Sequence, residues 1–381
     1  MNTSKYGGVI GCAFYAPGGE PHESLEEILY GLTRRALADA RLTINDIDGI
    51  VCASCDQLDG RAIAIMAASG SVGGVGRDIL STPSSAEHAF VLGALRVGSG
   101  QYRTQLVISW SPLEAQSVPQ VQQLGNDPYF HRGLPLDDLA SHALQAVAMD
   151  PTNSLHDRAV ALVEKNRQQG NRAYPERPCG PREKVWIDDG EIVAWPLSRE
   201  MVAPPSIGAV ALVLADAEFI AARGDAEVAW IKGLGWAAEP AFLGDRDLAA
   251  LPSLDAAVAR AYGEAGVTNP ETQIDLAEVA DATPYQQILA GERLGLYEQR
   301  SAQGSARKPV PINLSGGAAS FNPVFCCGLM RIAEAAQQLR ARAGAHQLDG
   351  VRRAVAHGAS GFAMQYNTVV VMESNQAGGA Q

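Results

Sequence analysis

The chain has no apolar run approaching bilayer-spanning length, no basic run, and few cysteines for its 381 residues. Each absence narrows the field. A spanning helix needs about 20 consecutive apolar residues, so no membrane-crossing segment is expected. Lys and Arg number 30 against 42 Asp and Glu, a net charge of −12, and no stretch interleaves aromatic with basic residues. That combination argues against a nucleic-acid surface, although a local Arg cluster could still hold a phosphorylated substrate. The cysteines (12, 52, 55, 179, 326 and 327) do not make a disulfide framework in a chain this long. Cys52-Ala-Ser-Cys55 has the spacing of a metal or redox pair but lacks a second pair and a His at ligand spacing, so it reads as structural thiols and no metal is expected. Cys326-Cys327 opens an apolar helix and reads as core packing. Residues 70–76, G-S-V-G-G-V-G, lack the Lys-Ser/Thr ending of a phosphate loop. Residues 8–16 lack a compact basic flank and read as a first core strand rather than a signal segment. A soluble, cytoplasmic protein is expected, and 46% hydrophobic residues supply ample core.

Two glycine-bearing loops stand out from this background. Asn313 to Pro323 reads N-L-S-G-G-A-A-S-F-N-P, and His357 to Gly361 reads H-G-A-S-G. Gly316-Gly317 can place main chain where a side chain would clash. Asn322-Pro323 fixes a turn before an apolar helix that starts near Val324. Two such loops could bring backbone amides to one point and stabilise a developing oxyanion.

An internal echo organises the rest. Residues 36–51 and 261–279 share one grammar of helix end, turn and apolar strand. Gly-broken apolar strands precede them, at Gly7–Phe14 and Val228–Trp236. Small-residue helices and strands follow, at Ser85–Val97 with Gln105–Trp110, and at Val324–Ala341 with Val351–Ala356. Strand–helix–strand order of this kind predicts an α/β layer structure, here a duplicated αβ unit with its halves packed face to face. Between the halves the chain becomes rich in Pro, Gln, Asp and Arg, with an amphipathic helix near Ser154–Gln169, and reads as an insertion that shapes a pocket. The division expected is 1–110, an N-terminal half; 111–205, an insert; and 206–381, a C-terminal half.

These residues resemble the thiolase superfamily over nearly the whole length, particularly the sterol-carrier-protein-type branch. Asn313–Pro323 is similar to the family loop N-x-x-G-G-x-x-x-G-H-P. Asp281-Ala282 resembles its acidic-Ala-Phe loop, Lys165–Pro175 its insert segment, and Ser206–Leu214 its Asp-Gly-Ala-Ala-Ala strand. The resemblance implies a thiolase-like duplicated αβαβα layered fold with a loop insertion. The departures bear on chemistry. Where family enzymes carry a nucleophilic Cys, this chain reads S-T-P-S-S-A-E-H-A-F over residues 81–90, placing Pro83 at that position with Ser84 and Ser85 beside it. Asn322 stands where the family has His, and His357 aligns with its second Cys.

A covalent acyl-enzyme is therefore not expected. The resemblance implies instead an acyl-CoA pocket suited to retro-aldol cleavage of a 3-hydroxyacyl-CoA, as in thiolase-related aldolases that shorten steroid side chains. It further implies a homodimer working with a small partner that carries a zinc ribbon and an OB fold. No bound cofactor is expected; the coenzyme A thioester is substrate. The candidate catalytic residues are His357, Asn322, Tyr285 and Asp281, and the candidate substrate-binding residues are Gly317, Ser85, His88 and Gly361. Each has a structural alternative: a hydrogen-bonded His for His357, a helix cap for Asn322 or Asp281, packing for Tyr285, a core or solvated ring for His88. Two other functions remain open, a non-catalytic subunit of a heteromeric thiolase-fold complex and a Ser84- or Ser85-dependent acyltransferase.

Overall fold

The computed structural model describes residues 4–59, 63–111, 118–134, 136–177, 191–224, 227–297 and 309–375. Cys179, and with it the end of the Pro-rich run 174–181, lies outside the described residues.

The N-terminal unit contains β1 (Gly8–Tyr15), α1 (Leu25–Asp39), β2 (Gly49–Ala53), β3 (Asp78–Thr82), α2 (Ala86–Gly98) and β4 (Thr104–Trp110). The insert carries α3 (Asp138–Met149) and α4 (His156–Ala173). Next come β5 (Ala209–Ala215), β6 (Ala229–Ala238), α5 (Pro252–Ala265), β7 (Leu276–Glu278), α6 (Pro284–Arg293), α7 (Cys327–Leu339), β8 (Arg353–Ser360) and β9 (Tyr366–Ser374).

The nine strands run in the order β7-β8-β9-β6-β1-β5-β4-β2-β3, and the echo read from the sequence is a literal repeat within that order. β2 lies parallel to β4, β4 antiparallel to β5, and β5 antiparallel to β1. β7, β8, β9 and β6 repeat these relations in the same order. Even the outer β3 has a counterpart, a parallel bridge from Ala277 to Ile312. The two sets join where Gly8 and Val9 pair with Trp230 and Ala229. β5, which follows residue 206 in the sequence, pairs on both sides with strands of the N-terminal unit. Its sequence, AVALVLA, is apolar on both faces because both faces are covered.

Alternation along the strands sorts the core into layers. Val210, Leu212 and Leu214 of β5 and Ala354 and Ala356 of β8 face a central cluster with Phe90 and Ala94 of α2 and Leu329 and Ala333 of α7. Ala211 and Val213 face α1, while Val355 and Val369 face Leu254 and Ala257 of α5. The architecture is helix–sheet–helix–sheet–helix, with α2 and α7 packed together in the middle layer. Ser24 opens α1 with a reciprocal capping box to Glu27. From the insert, α4 packs against α6 and against the short helix Gly317–Ser320, so the inserted segment reaches the second glycine loop.

Candidate functional site

The N-termini of α2 and α7 meet: the amide of Ala86 donates to the carbonyl of Phe325 at 3.2 Å. The two helix starts bring the positive ends of two macrodipoles to one region. Ser85, the residue before α2, does not cap it. Its hydroxyl donates instead to Glu87 Oε1 at 2.6 Å and lies 2.7 Å from Ser360 Oγ at the end of β8. Glu87 is 1% exposed. Two glycines make room for it: a Cβ on Gly328 would fall 2.2 Å from Glu87 Oε2, and one on Gly358 would fall 2.9 Å from Glu87 Cβ. One residue further on, His88 Nδ1 pairs with the Ser84 hydroxyl, and the His88 ring meets Tyr366 edge-on at 5.7 Å. Gly361, in the left-handed region, forms the turn that returns the chain from Ser360 to Tyr366. Ser85, His88 and Gly361 lie near one another, in company with Ser84, Glu87, Ser360 and Tyr366.

The opposite wall comes from the second half. Residues 322–323 pair with residues 205–206 in a short parallel ribbon, and Asn322 Nδ2 donates to the Ala203 carbonyl at 3.0 Å. The Cys327 thiol, first residue of α7, donates to Asn322 Oδ1 at 2.8 Å. Burial pushes this thiol up to about 12; Arg331 opposes the shift, while the carboxylates of Asp281 and Glu87 reinforce it. Cys327 is therefore protonated at neutral pH and lies in the field of both acidic groups.

Asp281 is 3% exposed and sits at the start of the helix Gly317–Ser320. It accepts from the amides of Ala318 (2.6 Å) and Ala319 and from Asn166 Nδ2 (3.0 Å). Gly317 has φ of +63°, and a Cβ there would fall 2.0 Å from Asp281 Oδ2, so this approach requires glycine. Burial raises Asp281 from 3.8 to about 7 against the pull of Arg331 and the two amides. The amides of the glycine loop are engaged by groups of the chain itself: Ser315 N with Glu278, Gly316 N with the Asn313 carbonyl, Gly317 N with Ser315 Oγ, and Ala318 and Ala319 with Asp281. The oxyanion role expected of that loop is taken up by a carboxylate of the chain itself.

Two candidates lie apart. His357 has the same strand parity as Val355, so its ring faces α5 while Gly358 and Ser360 face α2. Its Nε2 pairs with Asn367 Oδ1 at 2.9 Å, and Asn367 donates to Ser253 of α5 at 2.8 Å. Burial lowers the imidazole from 6.5 to about 4. Tyr285 packs among Ala143, Val163 and Met201, and its hydroxyl donates to Asn153 at 3.0 Å. Burial and the Asp150 carboxylate push it up to about 12.

Glu87, Cys327 and Ser360 were missed in the sequence. A lone acidic residue in the buried run S-A-E-H-A-F-V-L was the available signal for Glu87. Two surface clefts, of about 600 Å³ beside residues 14–23 and 173–177 and about 400 Å³ beside Tyr30 and Ile44, do not include these groups.

Residues 238–373 match the family model described as thiolase C-terminal domain-like. The chain aligns with solved thiolase-like structures over almost its whole length. One is an Ltp2–ChsH2 (DUF35) aldolase, at a TM-score of 0.77 and 16% identity over 98% of this chain and 99% of that one. This chain has the thiolase fold. A monomeric SCP2-thiolase-like protein type 1 from Mycobacterium smegmatis aligns with this thiolase-fold chain at a TM-score of 0.73 and 17% identity, over 99% of this chain and 79% of that one. Human mitochondrial 3-ketoacyl-CoA thiolase, also solved in complex with CoA, aligns at a TM-score of 0.69 and 16% identity, over 97% of this chain and 100% of that one. An acetyl-CoA acetyltransferase from Methanothermobacter thermautotrophicus is 32% identical over 215 residues, 53% of this chain and 54% of that protein. The match thus spans about half the length of that curated relative. The layered thiolase-like fold expected from the sequence is the one observed. Among the described residues, no helix is long and apolar enough to cross a membrane.

Proposed function

We propose that this chain breaks the Cα–Cβ bond of a 3-hydroxyacyl-CoA by a retro-aldol step, without an acyl-enzyme. The observation that carries the reading is the junction of the two helix starts. It gathers hydroxyls, an imidazole, a carboxylate and an amide, and the thiol beside Asn322, that of Cys327, is held protonated. At about 12, roughly one Cys327 in 10⁵ is thiolate at pH 7. Retro-aldol chemistry needs no nucleophile. A base takes the hydroxyl proton, the carbon–carbon bond breaks, and hydrogen-bond donors hold the thioester enolate. One Asn322 amide hydrogen is held by Ala203, which leaves the second for the enolate oxygen. Proton transfer moves in this reading from His357 and Tyr285, which face other elements, to the groups at the start of α2.

By the same reading the working form is a dimer with a small zinc-ribbon/OB-fold partner, and sterol-like side chains are the acyl groups to try first. The purified chain, with and without that partner, is incubated with a 3-hydroxyacyl-CoA and the products separated by chromatography. Equal amounts of a carbonyl compound and a shortened acyl-CoA are expected. No cleavage in either arm sinks the proposal and leaves the second reading, a subunit without chemistry of its own. That reading is favoured by one feature, the internal engagement of every amide from Ser315 to Ala319.

A further inference from the structure

Glu87 is a carboxylate buried between two helix starts, and no cation pairs with it among the described residues. Its surroundings are named readily. Its own helix offers the Ser85 hydroxyl and His88, α7 offers the Cys327 thiol and the bare Cα of Gly328, and β8 offers Gly358 and Ser360. Burying an acid without a cation is unfavourable unless its hydrogen bonds compensate. Two neighbouring positions are glycine where any side chain would displace it. A packing role would be filled as well by Leu or Met, with no need for a hydroxyl partner.

The hydroxyl chain has a direction. A serine carries one proton. Ser85 gives its proton to Glu87 at 2.6 Å, so the 2.7 Å contact with Ser360 has Ser360 donating to Ser85. The lone pairs of Ser360 Oγ are then open to a proton from outside. Ser360 and Ser85 are half-buried, whereas Glu87 is sealed, so the chain leads from partly exposed hydroxyls to a buried base.

We propose that Ser360, Ser85 and Glu87 form the proton relay of the site, with Glu87 as the terminal base. The inference rests on the retro-aldol reading. The substrate's 3-hydroxyl donates its proton to Ser360 Oγ, the Ser360 proton passes to Ser85, and the Ser85 proton passes to Glu87, which becomes a neutral acid. The O–H electron pair forms the new carbonyl, the Cα–Cβ pair becomes the enolate, and a carbonyl compound leaves. The proton then returns along the same chain to the enolate Cα, giving the shortened acyl-CoA. No electron, metal or co-reactant is consumed.

The test compares wild type with Glu87→Gln, Glu87→Asp, Ser360→Ala and the Glu87→Gln/Ser360→Ala double variant in 3-hydroxyacyl-CoA cleavage, measuring kcat, KM and the pH profile. General-base loss is worth about 10²–10⁴-fold. Glu87→Gln is expected to lower kcat at least about 100-fold with KM little changed, and to abolish the acid limb of the pH profile. Glu87→Asp should restore part of the rate. Ser360→Ala should lower kcat about tenfold or more, and the double variant should be no slower than Glu87→Gln alone, since relay members act as a unit. If wild type cleaves and Glu87→Gln keeps its kcat and acid limb, the relay is wrong and the retro-aldol reading stands. If wild type does not cleave, both fall. Should Glu87→Gln fail to fold, Ser360→Ala decides alone, since its side chain is half-buried at the end of β8: an unchanged kcat overturns the relay.

Discussion

Replacing Asp281 by Asn should remove a pH-dependent instability of the folded protein. Burial raises this carboxyl from 3.8 to about 7, while the unfolded chain keeps the lower value. Between those two values the folded state binds the extra proton, so unfolding free energy falls as pH rises. At about 1.4 kcal/mol per pH unit, the loss attributable to Asp281 reaches about 4 kcal/mol by pH 8, most of it between pH 4 and 7. Asn has the same shape and can still accept from Ala318. Toward Asn166 its NH₂ would face another NH₂, but Asn166 Oδ1 and Gln287 Nε2 are both buried without partners, and flipping both amides supplies an acceptor to the side chain at position 281 and keeps the Asn166–Gln287 bond. Urea unfolding followed through the five tryptophans at pH 4.5, 6 and 8 gives the comparison. The Asp281→Asn variant should gain on wild type by a few kcal/mol as pH rises across that range. Stability differences that are the same at all three pH values would refute the argument that Asp281 is forced to ionise in a dry site.

His357 should act with the opposite sign. Its folded value of about 4 lies below 6.5, so its contribution is fully present above pH 6.5 and is lost as pH falls toward 4, about 3 kcal/mol in all. A His357→Gln variant should lose that acid sensitivity while retaining most cleavage activity; turnover falling about a hundredfold at normal stability would return His357 to the chemistry. Cys327 should resist iodoacetamide at pH 7.5, reacting about 10³-fold more slowly than a free cysteine and about tenfold faster with each added pH unit up to about pH 10. Peptide mapping by mass spectrometry reads this directly, and Cys327→Ala should keep the cleavage rate. Rapid alkylation of Cys327 at neutral pH, or activity lost with the thiol, would point to covalent chemistry.

The layer order was legible because it rests on strong local signals. The apolar strands Gly7–Phe14 and Val228–Trp236, the small-residue helices and the turns between them recur at the same places in both halves. The pairing of β5 was not legible, since an apolar strand does not announce its neighbours, and here they are β1 and β4. The site was half legible. Ser85, Gly361, Asn322 and Asp281 lie on segments whose glycines and prolines mark them, and His88 sits in the first turn of α2 directly after such a segment. Side-chain direction was not available for His357: one residue along a strand turns it to the far face, where α5 covers it. Cys327 looked like core because thiols usually are. The engagement of the glycine loop's amides by Asp281 depends on a long-range approach that no spacing rule reports.

Glu87 and Gly328 occupy the second position of α2 and of α7, equivalent places in the two repeated units. The acid of one unit fills the hollow left by the missing side chain of the other. Two identical units could not meet in this way, because two acids would collide at the seam or two glycines would leave it empty. The repeated architecture can therefore build a single off-axis centre only after its copies have diverged at this point. An exchange of the two residues, Glu87→Gly with Gly328→Glu, would ask whether the pseudo-symmetric framework accepts the mirror assignment.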